Sequence, residues 1–390
     1  MEKAYTAVLH TAGTDGRNGR SEAVSGYLSG KIRFLSALSM VFVVFIHAYN
    51  YTDTFLQPTT CITEGLHLGA MTQFFLSNAF LRSAVPLYFI ISGFLFFARR
   101  ELTPEVYARQ IRRRAKSVLL VFLIVSTASF AGCSAIYAAT GPGVFPVIDE
   151  RMEVVEQGLA GALKIWLNNP FAFQLWFLMQ LFLICLFAPV INSGVRRFGV
   201  LLPILLTVLW AFDLNLDLGT FRIFNADTYL FFTVGAYLGI KKVRLPGMDE
   251  PAGSKPTAWM LIGMLAALSA AYTLLCASLK ESGTEQLVLY KLVSIVGIAA
   301  IWYLYDLIPE GFGNSRCWKA LERHSFMVFL LHEPLMHMLY SRGLSLSGAD
   351  EVHMLLYFGL PLLMILLMGA VGSLLKKYCL PLHRLLTGDR

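Results

Sequence analysis

The feature that most constrains this chain is a succession of apolar runs, several reaching the roughly 18 to 20 residues that a helix needs to cross about 30 Å of hydrocarbon. No single globular core could hide them, because 56% of the 390 residues are hydrophobic, only 15% are charged and the mean hydropathy is +0.61. The bilayer is therefore the solvent for most of the protein. Windows between charged or Gly/Pro-rich breaks predict spans at 34–50, 74–98, 117–139, 174–192, 199–213, 224–240, 258–278, 287–308, 324–340 and 353–375. The expected fold is all-α, a polytopic membrane bundle of about ten helices with both termini on one side.

A net charge of +7 invites a nucleic-acid reading, but the cations fall in alternate loops. Of the 32 Lys and Arg residues, 25 lie on the side of the N-terminus and 7 on the other, which makes the termini cytoplasmic by the positive-inside rule and leaves membrane lipid, not nucleic acid, as the partner. Residues 1–30 hold no apolar stretch of signal-peptide length and read as a disordered cytoplasmic leader. The ten-helix domain is expected over 31–378 and a cytoplasmic tail over 379–390. The six cysteines form no C-x-x-C pair and read as small hydrophobes, so neither a zinc site nor a disulfide framework is indicated. The outer connection from about 140 to 173 is too short for a domain of its own and predicts an interfacial helix or a cap.

Ionisable groups inside spans are costly, and three stand out: His47, Arg82 and His332. His47 closes the first span, where an imidazole suits proton transfer or an interfacial hydrogen bond. Arg82 begins the stretch RSAVPLYFIISGFLFF, which Pro86 is expected to kink; its guanidinium suits a carbonyl or phosphate, or pairing with Asp213 or Asp227. His332 lies in HSFMVFLLHEPL beside Glu333, with His337 five positions on; in one continuous helix these share no face, so no metal pair is predicted. Residues 107–117 carry Arg109, Arg112, Arg113, Arg114 and Lys116, a topology anchor on anionic lipid or a platform for the phosphates of a donor. No P-loop, dinucleotide fingerprint or H-E-x-x-H is present, so any activated group comes from elsewhere.

The first-span histidine, LRSAVPLYFIISGFLFF (81–97), the basic segment after it, QLWFLMQLFLI (174–184), YLFFTVGAYLG (229–239) and HSFMVFLLHEPL (324–335) together resemble acyltransferase family 3, from about residue 31 to 375. These are integral-membrane acyltransferases of bacterial envelope glycans. The resemblance implies an inner-membrane enzyme with no metal, moving an acyl group, commonly acetyl, from cytoplasmic acyl-CoA to a sugar hydroxyl, alongside glycan-synthesis proteins. It implies catalytic roles for His47, Arg82 and His332, and donor binding by Arg112, Arg113, Arg114, Trp176 and Ser325. One departure is Ser36, where the family often has a basic residue eleven positions before the histidine; Arg33, one turn lower, is long enough to reach upward. The alternative is a transporter or exporter of a glycan or polyol-like solute, for which buried His and Arg would also serve.

Overall fold

The structure, a computed structural model, describes residues 26–52, 59–98, 101–218, 221–252, 255–279, 281–309 and 311–387. Most of the expected leader lies outside them. In chain order the helices are α1 (Gly26–Ile46), α2 (Leu68–Phe74), α3 (Ala84–Phe97), α4 (Pro104–Arg114), α5 (Leu120–Thr140), α6 (Pro146–Val155), α7 (Leu159–Leu167), α8 (Trp176–Leu186), α9 (Ala188–Phe198), α10 (Leu201–Ala211), α11 (Ala226–Ile240), α12 (Lys255–Ser278), α13 (Thr284–Leu304), α14 (Arg316–Leu331), α15 (Leu335–Leu346), α16 (Asp350–Tyr378) and α17 (Leu380–Thr387). Two short antiparallel strands, β1 (Leu216–Leu218) and β2 (Phe221–Phe224), are the sole departure from helix class among the described residues.

Six stretches are long and apolar enough to cross a bilayer: Gly26–Ile46, Leu68–Phe97, Pro104–Thr140, Lys255–Ser278, Thr284–Leu307 and Asp350–Tyr378. A seventh is the pair Phe173–Leu186 and Ala188–Phe198, bent by 59°. The remaining expected spans take other forms. α10 has 11 residues and α11 has 15, the latter rising about 22 Å at 1.5 Å per residue, short of a full crossing. α11 is shielded by protein, for Phe232, Ala236 and their neighbours are packed among Phe89, Phe97, Ile184 and Trp210. The expected ninth span breaks at His332–Pro334 into α14 and α15. The connection over 140–173, expected as an interfacial helix or a cap, holds the paired helices α6 and α7.

Local chemistry sets the helix ends. The Thr103 hydroxyl accepts the Val106 N–H and Pro104 occupies the first turn of α4, which carries Arg112, Arg113 and Arg114 and runs on through a π-helical stretch at 115–119 into α5. Asn225 caps α11 and Ser315 caps α14 in the same way. The interruption near Arg82 differs from the expected proline kink. Residues Phe75–Phe80 form a π-helical turn, the chain breaks at 81–83, and Pro86 falls in the first turn of α3, where its missing N–H costs nothing.

Small residues determine how closely the bundle packs. A Cβ on Gly93 of α3 would stand 2.1 Å from the Phe232 carbonyl oxygen of α11, and one on Gly235 would stand 2.0 Å from that of Ile90. Backbone therefore meets backbone where α3 crosses α11. The outer surface is apolar in the manner of a lipid-facing wall: Leu362, Leu363 and Leu366 on α16 and Leu201, Ile204 and Leu205 on α10 are all exposed.

Candidate active site

His47 follows the last residue of α1 and is buried; its main-chain N–H still donates to Val43 O at 3.1 Å. His332 caps α14 and is fully buried. The two side chains, 285 positions apart in sequence, meet with His47 Nδ1 3.0 Å from His332 Nε2 and their rings nearly parallel, at 13°.

The neighbours decide where the protons are. His332 Nδ1 lies 2.9 Å from Val328 O and 3.1 Å from Phe329 O. Main-chain carbonyls only accept, so Nδ1 carries the hydrogen and Nε2 the lone pair. His47 Nδ1 must then donate to His332 Nε2, which puts the His47 lone pair on Nε2. The end of α14 enforces this, because its last carbonyls need donors. Gln174 supplies another, its Nε2 donating to Phe329 O and Leu330 O at 3.1 Å each. The result is a neutral imidazole held in one tautomer, the condition for a general base or nucleophile.

Further contacts fix the segment that holds His47. Ser77 Oγ, from the π-helical turn, donates to Phe45 O at 2.7 Å. Asn50 N donates to Gln73 Oε1 at 3.0 Å, and Asn50 Nδ2 donates to His353 O at 3.0 Å, tying the loop after α1 to α2 and α16. Arg82 is half-buried, bonded to the Tyr290 side chain, and its positive charge is felt at His47. The acids considered for it in the sequence have other contacts: Asp213 pairs with Lys291 at 3.4 Å and Asp227 accepts the Trp210 indole N–H.

Glu333 and His337, four positions apart and so neighbours on a helical turn, meet just after the break at His332. His337 Nδ1 lies 2.8 Å from Glu333 Oε1, both buried. The Phe173 ring stands between the two histidine groups, 4.7 Å from the His47 ring and 5.5 Å from that of His337. A Glu333 oxygen, a His332 nitrogen and a His47 nitrogen lie within 4.8 Å of one another, so these three could supply a metal's ligands. The 3.0 Å between the imidazole nitrogens is a hydrogen-bond distance. Two ligands about 2.1 Å from a tetrahedral metal would stand about 3.4 Å apart, so the arrangement fits a shared proton better.

The other sequence-predicted residues lie elsewhere. Arg112 and Arg113 join Arg109 and Lys116 on one exposed face of the helix beginning at α4, lining a shallow cleft of about 460 Å³ with Glu105 and Ala108. Arg114 is half-buried on another side, its charge felt at Cys185. Trp176 packs near Phe89 and Phe177, in the same apolar cluster as Tyr107 and Ile111 of α4. Ser325 is buried and returns its hydrogen bond to Glu322 O at 3.0 Å. Ser36 is buried and Arg33 is exposed, so the cation packed inside the first turns of α1 is Lys31, bound to Asp306 at 2.9 Å.

Sequence reasoning gave no roles to Phe173, Gln174, Glu333 and His337. The signal available for the last two was their four-residue spacing, which sets side chains next to each other on a helix, while Pro334 signalled the break beside them.

The chain as a whole is similar to known proteins. A family model described as Acyltransferase domain matches residues 31–375. The chain is 28% identical over 380 residues to the Succinoglycan biosynthesis protein ExoH of Rhizobium meliloti (strain 1021), covering 93% of each chain. No solved structure matches.

Proposed function

The chain belongs to the acyltransferase domain family, and from that premise we propose that it moves an acyl group, acetyl in the simplest case, from cytoplasmic acyl-CoA to a sugar hydroxyl of an envelope glycan. The name of the similar ExoH protein, which ties it to succinoglycan biosynthesis, supports a polysaccharide or lipid-linked glycan as acceptor. The single observation that carries the reading is the His47–His332 hydrogen bond, which leaves the His47 lone pair on Nε2.

In the proposed reaction, His47 Nε2 takes the proton of the acceptor hydroxyl as its oxygen attacks the thioester carbonyl. The imidazolium that forms is stabilised through Nδ1–H by the His332 lone pair. Collapse of the tetrahedral intermediate breaks the C–S bond, and His47 returns its proton to the departing CoA thiolate. The products are the ester and free CoA-SH. Transfer through an acyl group held briefly on His47 Nε2 gives the same products: the imidazole attacks the thioester and expels the CoA thiolate, which takes up the proton that the acceptor hydroxyl loses as its oxygen displaces the imidazole. Arg82 offers positive charge beside His47 for the developing oxyanion, a contribution worth about 3 kcal/mol for one good donor. Arg109, Arg112, Arg113 and Lys116 hold the CoA phosphates in the exposed basic cleft, with both termini and this cleft on the cytoplasmic side of the inner membrane.

The test is acyl transfer from radiolabelled acetyl-CoA to the host's glycan pool, in membranes carrying equal amounts of wild-type or His47→Ala protein. Label incorporation that depends on His47 supports the reading. Full incorporation by His47→Ala removes His47 from the chemistry, and no incorporation by wild type from any acyl-CoA removes the reading itself.

A further inference from the structure

Two oppositely charged side chains lie near the His47 pair with hydrogen-bonding capacity unused. Glu333 is 2% exposed; one carboxylate oxygen holds His337, and the other, Oε2, is buried without a partner. Arg151, from cap helix α6, is 8% exposed; Nη1 donates to Val147 O at 3.1 Å, and Nε is buried without a partner. Each residue lies in the other's electrostatic field. Both border the Phe173 ring: the Arg151 guanidinium carbon is 6.0 Å from its centroid, and His337, bonded to Glu333, is 5.5 Å from it. Gln174, the residue after Phe173, has a buried Oε1 that is likewise unpartnered.

An unsatisfied carboxylate oxygen and an unsatisfied guanidinium N–H, both nine-tenths buried, are a costly arrangement for a protein to keep. They would be satisfied together by a ligand that donates to one and accepts from the other. A lone anion serves Arg151 and repels Glu333, while a cation does the reverse. A pair of neighbouring hydroxyls does both, one O–H donating to Glu333 Oε2 and the adjacent oxygen accepting from Arg151 Nε. The face of Phe173 suits the C–H side of a ring that carries those hydroxyls. Because Phe173 also touches His47 at 4.7 Å, a ring so held brings its next hydroxyl toward the base.

We propose that Glu333, Arg151 and Phe173 form the acceptor subsite, which takes a neutral sugar ring through a vicinal diol and is entered from beneath the α6 cap. The proposal deepens the acyl-transfer reading and rests on it for the role of the captured sugar. The capture itself can be measured apart from catalysis.

The experiment uses the purified full chain in lipid nanodiscs and glycan extracted from the host envelope, with de-esterified material as the probe. Equilibrium binding is measured by calorimetry for wild type, Glu333→Gln and Arg151→Lys; steady-state acyl transfer gives kcat and the acceptor KM. Glu333→Gln keeps an oxygen for His337, Arg151→Lys keeps the charge, and equal thermal midpoints certify the fold. The expected result is glycan binding at least tenfold weaker in both variants, with acceptor KM raised by the same factor and the donor KM unmoved. Binding and acceptor KM equal to wild type in both variants overturn the subsite while leaving acyl transfer standing. Binding that depends on Glu333 and Arg151 in a protein with no transfer activity upholds the subsite and overturns the enzyme reading. Wild type that binds no glycan overturns the subsite.

Discussion

The hydrogen on His332 Nδ1, fixed by two main-chain carbonyls, determines what His47 can do. Replacing His332 with Ala removes the acceptor for His47 Nδ1–H and lets the imidazole take either tautomer. The expected outcome is a fall in kcat of about 10²- to 10⁴-fold, the range seen when the orienting partner of a catalytic histidine is lost, with both KM values little changed. The pair also predicts the sign of the pH dependence. Its hydrogen bond needs one donor and one lone pair, so in the proposed reaction the neutral pair is the active form. Protonating both rings sets two cations side by side and removes the base, so kcat falls as pH falls, measurable as an acid limb that His332→Ala alters. The histidines themselves were legible in the sequence because imidazoles at membrane depth are expensive and few. Their partnership was not, since nothing in the sequence relates positions 47 and 332. Glu333 and His337 were visible as residues, but they were weighed against His332, from which a continuous helix turns both away, and their own four-residue spacing went unused.

At the level of the element, the close crossing of α3 and α11 supports a prediction that involves no catalytic group. The obstacle to a side chain at Gly93 is the Phe232 carbonyl, main chain that cannot rotate aside, so the helices must separate. Gly93→Val should cost about 1 to 3 kcal/mol or more and lower the thermal midpoint in detergent, whereas Gly263→Val, with nothing within 4 Å of its Cβ, should not. A second element-scale device ties the start of α1 to the end of α13. Lys31 is fully buried, with its ammonium 2.9 Å from Asp306 and 4.4 Å from the Trp302 ring centroid. Lys31→Met leaves the Asp306 carboxylate without its cation, a loss of about 3 to 5 kcal/mol, while Lys31→Met with Asp306→Leu should recover most of it in the same melting experiment. Long continuous helices such as α1, α12 and α16 were readable from hydropathy because each carries an unbroken apolar run. The positions of α10 and α11 were readable too, at 199–213 and 224–240, but the shortness of α11 and the α14–α15 break were not, because a helix shielded by other helices need not match the bilayer's thickness and hydropathy does not record what surrounds it.

For the whole molecule, the proposed roles of the basic cleft and the histidine pair require a donor that spans the distance between them. Val118, Val121 and Phe122, just beyond the cationic face, pack with Met40 and Val43 of α1, so the two stretches can be set in register. Six residues from Arg112 to Val118 and seven from Met40 to His47 make about 20 Å at 1.5 Å per residue. A donor whose phosphates rest on Arg109, Arg112, Arg113 and Lys116 must therefore carry its acyl group well into the membrane, as the long pantetheine arm of a CoA ester would allow. A soluble acyl phosphate, lacking such an arm, could occupy the cleft without reaching His47. Sealed vesicles separate the two sides: acetyl-CoA should support glycan acylation when it has access to the cytoplasmic face and not when it is confined to the other. Arg112→Glu with Arg113→Glu should raise the acetyl-CoA KM about tenfold or more with kcat nearly unchanged, and added salt should narrow the gap by screening these exposed charges. A fall in kcat at unchanged donor KM would instead place the donor phosphates away from this face and leave its cations to anchor the protein on anionic lipid.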